Sequence, residues 1–129
     1  MASNPNDRKY TESHEWVKIE GDLAVIGITD HAQEALGDIT FVELPEVDAA
    51  VEQGEECVEI ESVKAASEVF APLSGVITET NDELEDAPET INSSPFEAGW
   101  VFKIKDFDKS QFDALLDADA YQKSIEEED

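Results

Sequence analysis

Lys64 lies in the stretch VEIESVKAASEVFAP, residues 58–72, among Glu59, Glu61 and Glu68 and beside the small or neutral Ser62, Val63, Ala65 and Ala66. It is the one Lys or Arg between Lys18 and Lys103. A lysine amine forms a stable amide, and its four-carbon stem adds reach. With an ordinary pKa of about 10.4, that amine must lose a proton before it can be acylated. Glu61 and Glu68 oppose the loss, so an enzyme that modifies Lys64 has to supply the base. Two plainer roles compete. One is a weak surface ion pair with the glutamates, worth about 0–1 kcal/mol. The other is an edge-strand lysine that discourages aggregation. Spacing and charge leave all three open.

Other chemistry is sparse. His14, His31 and Cys57 are the only imidazole and thiol groups, and none are paired at ligand spacing. A zinc site needs three or four such ligands. Cys57 precedes an apolar strand and reads as a small packed residue. GDLAVIG lacks the GxGxxG spacing of a phosphate-binding loop and a long helix after it. Carboxylates are too numerous for any acid–base pair to stand out. No catalytic residue and no metal ligand is expected.

The elements that position Lys64 follow from pattern. HEWVKIEGDLAVIGI alternates and then turns apolar around Gly21-Asp22, predicting a hairpin with strands near 14–20 and 23–28. TDHAQEALGD predicts a short helix capped by Thr29 or Asp30 and ended by Gly37, with Ala32, Ala35 and Leu36 on its apolar side. ITFVELP is a strand stopped by Pro45. EVDAAVEQGEE is a polar connection turned at Gly54. CVEIESV and ASEVFAP are strands flanking Lys64, so a tight turn projects the lysine into solvent. GVITETN and GWVFKIK are further strands. DELEDAPETINSSPF reads as a loop broken by Pro88 and Pro95. DKSQFDALLDADAYQKSIEEE spaces Phe112, Leu115, Leu116 and Tyr121 as in one or two helices. Short strands with frequent turn signals predict a small β-sandwich or barrel with peripheral helices. Residues 1–129 read as one domain, with loose ends at 1–9 and 126–129.

The charge balance is extreme: 33 Asp plus Glu against 8 Lys plus Arg, a net −25 at pH 7. That field repels nucleic acid and anionic lipid. It also repels itself, except where about 1 M salt shrinks the Debye length to roughly 3 Å. The acids run along the whole chain and are not confined to the tail SIEEED, which points to a halophilic source over an acidic mesophilic one. No apolar run reaches the length of a membrane span. MASNPNDRKYTES carries neither an apolar core nor an Arg-rich pattern, so no signal or transit peptide is expected. A single cysteine fits a reducing cytoplasm.

ESVKAAS, with PLSGVI after it, resembles the lipoyl-lysine hairpin of the glycine cleavage system H protein family. The likeness continues through YTESHEWV, GITDHAQEALGDITFVELPEV and INSSPFEAGWVFKIK, which together cover most of residues 10–105. Lipoyl domains of 2-oxoacid dehydrogenases usually show Asp-Lys-Ala at the turn and lack the SHEW and GWVFKIK blocks. Biotin carriers usually have Met on both sides of the lysine, where this chain has Val63 and Ala65. The resemblance implies a mainly β fold: a lipoyl-type barrel-sandwich hybrid with a short helix after the first hairpin and C-terminal helices. It implies lipoate in amide linkage on Lys64, in a turn whose Glu61, Ser62, Val63 and Ala65 are recognised by lipoylation enzymes.

The implied function is that of a monomeric carrier, not an enzyme. Its arm takes an aminomethyl group from glycine at a pyridoxal-phosphate glycine decarboxylase. It delivers the one-carbon unit to a tetrahydrofolate-dependent aminomethyltransferase and is reoxidised by dihydrolipoyl dehydrogenase. The alternative is an H-like relay of lipoate or octanoate to other complexes. Ser13 and Glu15 match positions of a cleft that shelters the loaded arm, where Glu15 would accept from the arm's ammonium and Ser13 would assist. Ordinary strand-start capping is the competing role for both. Some relatives have histidine where this chain has Ala35, so any contact made by that histidine is absent.

Overall fold

The computed structural model describes residues 5–128. The expectation of loose ends falls partly outside these, at residues 1–4 and 129. Within them, Lys9 lies in a strand and residues 126–128 in a helix. The chain opens with β1 (Lys9–Tyr10), β2 (Glu15–Glu20) and β3 (Leu23–Ile28), then α1 (Asp30–Leu36). Next come β4 (Ile39–Glu43), β5 (Ala50–Val51), β6 (Glu56–Ser62), β7 (Ala66–Phe70) and β8 (Gly75–Thr80). Two single-turn helices, α2 (Glu83–Asp86) and α3 (Thr90–Ser93), precede β9 (Phe102–Lys105), α4 (Lys109–Asp113) and α5 (Ala118–Glu128).

The strands form two antiparallel sheets, ordered β1-β2-β3-β9-β8-β5 and β4-β6-β7. This is the mainly β, barrel-sandwich arrangement expected from the sequence. Cross-strand pairs such as Val17–Ile26 and Val42–Ile60 place apolar side chains on one face of each sheet. Those faces join Ile39, Val58, Val69, Leu73, Ile77, Phe102 and Ile104 in one core. Each such side chain contributes about 1.5–3 kcal/mol by leaving water. A second cluster, Tyr10, Trp16, Val25, Ala118 and Tyr121, seals α5 against the six-stranded sheet. Tyr10 and Tyr121 stack at 4.8 Å within it.

Thr29 caps α1 by accepting from the Ala32 N–H at 3.2 Å, and Gly37 ends the helix at φ 79°. Both match the sequence reading. The segment read as a loop differs, because it contains α2 and α3. Leu84 and Ile91 are fully buried and draw one turn of chain each onto the core, while Pro88 falls between them. The polar connection EVDAAVEQGEE differs too, because Ala50–Val51 form β5 against Gly75–Val76, and β1 (Lys9–Tyr10) lies where no strand was read.

Gly75 begins β8 at a close approach. A methyl there would strike the Ile104 side chain and stand 2.8 Å from the Lys105 carbonyl oxygen. That oxygen belongs to the paired strand and cannot step aside. Gly75→Ala is therefore expected to lose about 2–3 kcal/mol, seen as a lower urea midpoint at unchanged slope.

Candidate functional site

Lys64 stands exposed in the turn between β6 and β7. Ser62 builds that turn. Its backbone N–H donates to the Ala65 carbonyl at 2.8 Å, and its hydroxyl donates to the same oxygen at 3.0 Å. The Ser62 hydroxyl oxygen also accepts from the backbone N–H groups of Lys64 at 3.2 Å and Ala65 at 3.1 Å. A serine that closes its own turn in this way fixes the backbone on either side of the lysine. The Val63 N–H donates to the Asp38 carbonyl at 3.0 Å and ties the tip to the junction after α1. Asn92 of α3 holds that junction: its amide nitrogen donates to the Gly37 carbonyl at 2.9 Å, and its amide oxygen accepts from the Ile39 N–H at 2.9 Å.

The lysine stem rests over Gly37, with Cε 3.1 Å from where a Cβ would stand. Among the described residues Lys64 joins no ion pair, whereas Arg8, Lys18 and Lys103 do. Glu61 and Val63 are exposed beside it, as is Ala65. The glutamates therefore do not hold the lysine down.

A surface cleft of about 310 Å³ opens at the other end of β7. Tyr10, Phe70, Pro72, Leu115 and Leu116 supply apolar walls, and Thr11, Ser13 and Glu15 supply polar ones. The turn that presents Glu15 requires His14 at φ 73°, a left-handed conformation that histidine adopts more readily than most residues. A hydrogen bond of 2.8 Å between His14 Nδ1 and the Tyr121 hydroxyl, and one of 2.7 Å between that hydroxyl and Thr29 Oγ1, fasten the turn to α5. Glu15 is 2% exposed. Its Oε1 accepts from Thr11 at 2.5 Å and Ser13 at 2.6 Å, while Oε2 accepts only a long bond of 3.3 Å from the Phe70 N–H.

Burial pushes the Glu15 carboxyl above its ordinary pKa, against the opposing hydrogen bonds from Ser13, Thr11 and Phe70. An acid whose folded pKa is raised binds more protons folded than unfolded. Its contribution to stability is thus most favourable below the unfolded value of about 4.3 and declines as pH rises through the folded pKa. Glu15→Gln removes that decline. The urea midpoint of the variant relative to wild type should therefore shift in the variant's favour as pH rises from about 4 to 7.

The structure brings Ser13 and Glu15 together, and it adds Thr11 and Phe70, which the sequence reading did not name. Thr11 is four residues before Glu15 in the same motif, a spacing that suits a turn bond. Phe70 is 55 residues away and carried no signal. Lys64 is not part of the cleft lining, and Ala35 stands exposed on α1 apart from it. Six residues of extended strand, roughly 20 Å, separate Lys64 from Phe70, more than a bare lysine spans. The Cys57 thiol is pushed up to about 11 by burial and stays protonated at neutral pH. Among the described residues no group of three or more His, Cys, Asp or Glu is placed to hold a metal ion. No helix there is long and apolar enough to cross a membrane.

β7 thus runs from an exposed lysine in ESVKAAS at one end to a half-apolar cleft at the other. The family model for the glycine cleavage H-protein matches residues 8–128. The chain belongs to the glycine cleavage H-protein family. It is similar to the glycine cleavage system H protein of Sodalis glossinidius, 55% identical over 130 residues that cover 100% of this chain and 99% of the relative. The H protein of Shewanella frigidimarina is 54% identical over 99% of this chain and 100% of its own length. The crystal structure of an H protein from Mycobacterium marinum superposes with a TM-score of 0.86 at 42% identity, covering 95% of this chain and 99% of that one. The H-protein likeness thus spans both sheets, the Lys64 hairpin and the C-terminal helices.

Proposed function

We propose that this carrier of the glycine cleavage system bears lipoate in amide linkage on Lys64. The observation that carries the reading is the exposed Lys64, unpaired and held at the tip of a turn that Ser62 closes. The cleft suits such an arm, since Phe70, Leu115 and Leu116 offer apolar walls to a hydrocarbon chain and Glu15 offers a buried acceptor. When bound, the group supplies a dithiolane that accepts and releases the aminomethyl unit of glycine and then exchanges two electrons.

The chain's own residues do the rest. Lys64 anchors the arm, and its exposed turn leaves the arm free to visit several active sites at high effective concentration. Glu61, Ser62, Val63 and Ala65 form the turn that lipoylation enzymes read. Glu15, with one oxygen nearly unshared, receives the ammonium at the end of a loaded arm, and Ser13 adds a hydroxyl beside it. The apolar walls limit the access of water to that end. The partners are the pyridoxal-phosphate glycine decarboxylase, the aminomethyltransferase, dihydrolipoyl dehydrogenase and the lipoylation enzymes. The chain works as a single monomeric cytoplasmic domain without catalytic residues of its own.

Intact mass spectrometry of natively expressed chain is expected to show one lipoyl adduct, mapped by peptide digestion to Lys64. An unmodified Lys64 from cells with active lipoylation enzymes overturns the reading. A loaded chain that passes lipoyl groups to other complexes but supports no glycine decarboxylation would assign it to the relay role.

A further inference from the structure

We infer that Phe41, on the strand beside the lysine hairpin, is a docking anchor for the enzyme that acylates Lys64; the inference rests on Lys64 being the attachment site. On β4, Val42 turns into the core at 1% exposure, and its neighbours Phe41 and Glu43 point outward. Phe41 remains 44% exposed. The register places it across from Glu61, and Glu61 across from Ala66, the last β6–β7 pair before the turn. The next outward row is Glu43, Glu59 and Glu68. An aromatic ring therefore lies bare at the foot of the lysine turn, with exposed carboxylates about it and only Ala66 completing its row.

Salt adaptation accounts for carboxylates wherever water reaches. It does not account for a bare ring among them, nor for three glutamates set directly across adjacent strands, which repel one another. An apolar side chain ringed by charge of one sign fits an apolar cup with a rim of the opposite sign. The occupant is thus a protein surface that carries a shallow apolar pocket edged by Lys or Arg.

Reach identifies which partner brings that surface. Enzymes that act on the distal end of a loaded arm can stand off by the arm's length. The acylating enzyme acts on the lysine nitrogen itself, and that side chain lies back over Gly37. Its active site must come down to the protein surface and cover Val63 and Phe41 to lift the stem away. There Nζ gives up one proton of its ammonium to an enzymic base, forms a C–N bond to the carbonyl carbon of a lipoyl adenylate, and releases a second proton as the adduct collapses to the amide. The bond from that carbon to the phosphate oxygen breaks, and the nucleotide leaves with the electron pair.

Full-length chain is acylated by a lipoate-attaching ligase with lipoate and ATP, and the adduct is followed by intact mass. Phe41→Thr, which keeps strand propensity, is expected to lower kcat/KM about tenfold, chiefly through KM. Phe41→Lys does the same by a different side chain, and Phe41→Leu recovers most of the loss. Ile19→Ser removes an apolar residue of comparable exposure, 36%, away from the hairpin and leaves the rate unchanged. Melting curves taken alongside separate docking from folding. Once loaded, Phe41→Thr chain is expected to turn over with the downstream enzymes as wild type does. Wild-type acylation rates in both folded Phe41 variants overturn the inference, as does a defect confined to the downstream steps. Wild-type chain that is never acylated at Lys64 overturns the attachment site instead.

Discussion

Lys64→Ala is expected to fold and melt as wild type does and to carry nothing. The lysine is exposed and forms no ion pair among the described residues, so its loss removes little from the folded state. Its amine is nevertheless the only atom through which an arm can be attached at the turn. The lipoyl adduct should vanish from the mass spectrum, and glycine-dependent release of carbon dioxide with the three partner enzymes should fall to background. Lys64→Arg sharpens the result. It keeps the charge, and an arginine does not accept the amide linkage. If Lys64 served as an ion-pair partner or as an edge residue, the arginine variant would be nearly normal. As an attachment site, arginine should be as inactive as alanine. Undiminished glycine cleavage in either variant would instead mark the chain as an unmodified acidic interaction module.

Stability is expected to climb steeply with salt. At low ionic strength the net charge of −25 acts across the whole surface, and rows such as Glu43–Glu59–Glu68 add repulsion at close range. Raising KCl from about 0.01 M to about 1 M shortens the Debye length from roughly 30 Å to roughly 3 Å. Most of that repulsion then disappears, and Tm should rise by on the order of 10 °C, since each 1 kcal/mol moves a domain of this size by several degrees. We propose a halophilic source on this basis. A flat melting curve across that range would remove the proposal and leave the family assignment untouched.

The parts of the fold that sequence made legible are those set by neighbours in the chain. Gly21-Asp22 between alternating runs located the β2–β3 hairpin to within a residue. Thr29 and Gly37 bracketed α1 because caps are local. The strands flanking Lys64 were plain from their length and pattern. Elements of one turn or two residues were not legible, because periodicity needs more chain than they possess. α2 and α3 exist because Leu84 and Ile91 each anchor one turn, and β1 and β5 because a partner strand lies beside them. The site divides in the same way. Ser62 and Lys64 could be read together, whereas the reach of Asn92 to Gly37 and of Phe70 to Glu15 spans 55 residues in both cases. Those contacts come from tertiary closure, and the cleft with them. Ser13 and Glu15 were found by resemblance to a family, not by any pattern of their own.

Gly37 has two neighbours that sequence keeps far apart: it terminates α1, and it lies under the stem of Lys64. The root of the arm is therefore indexed to the register of a helix. One residue inserted into α1 would turn its end by about 100° and advance it about 1.5 Å. The gap left by the missing side chain would then face elsewhere, and a bulkier residue would meet the lysine. The Val63–Asp38 hydrogen bond would shift as well. The length of α1, remote from Lys64 along the chain, thus acts as a ruler for where the arm begins.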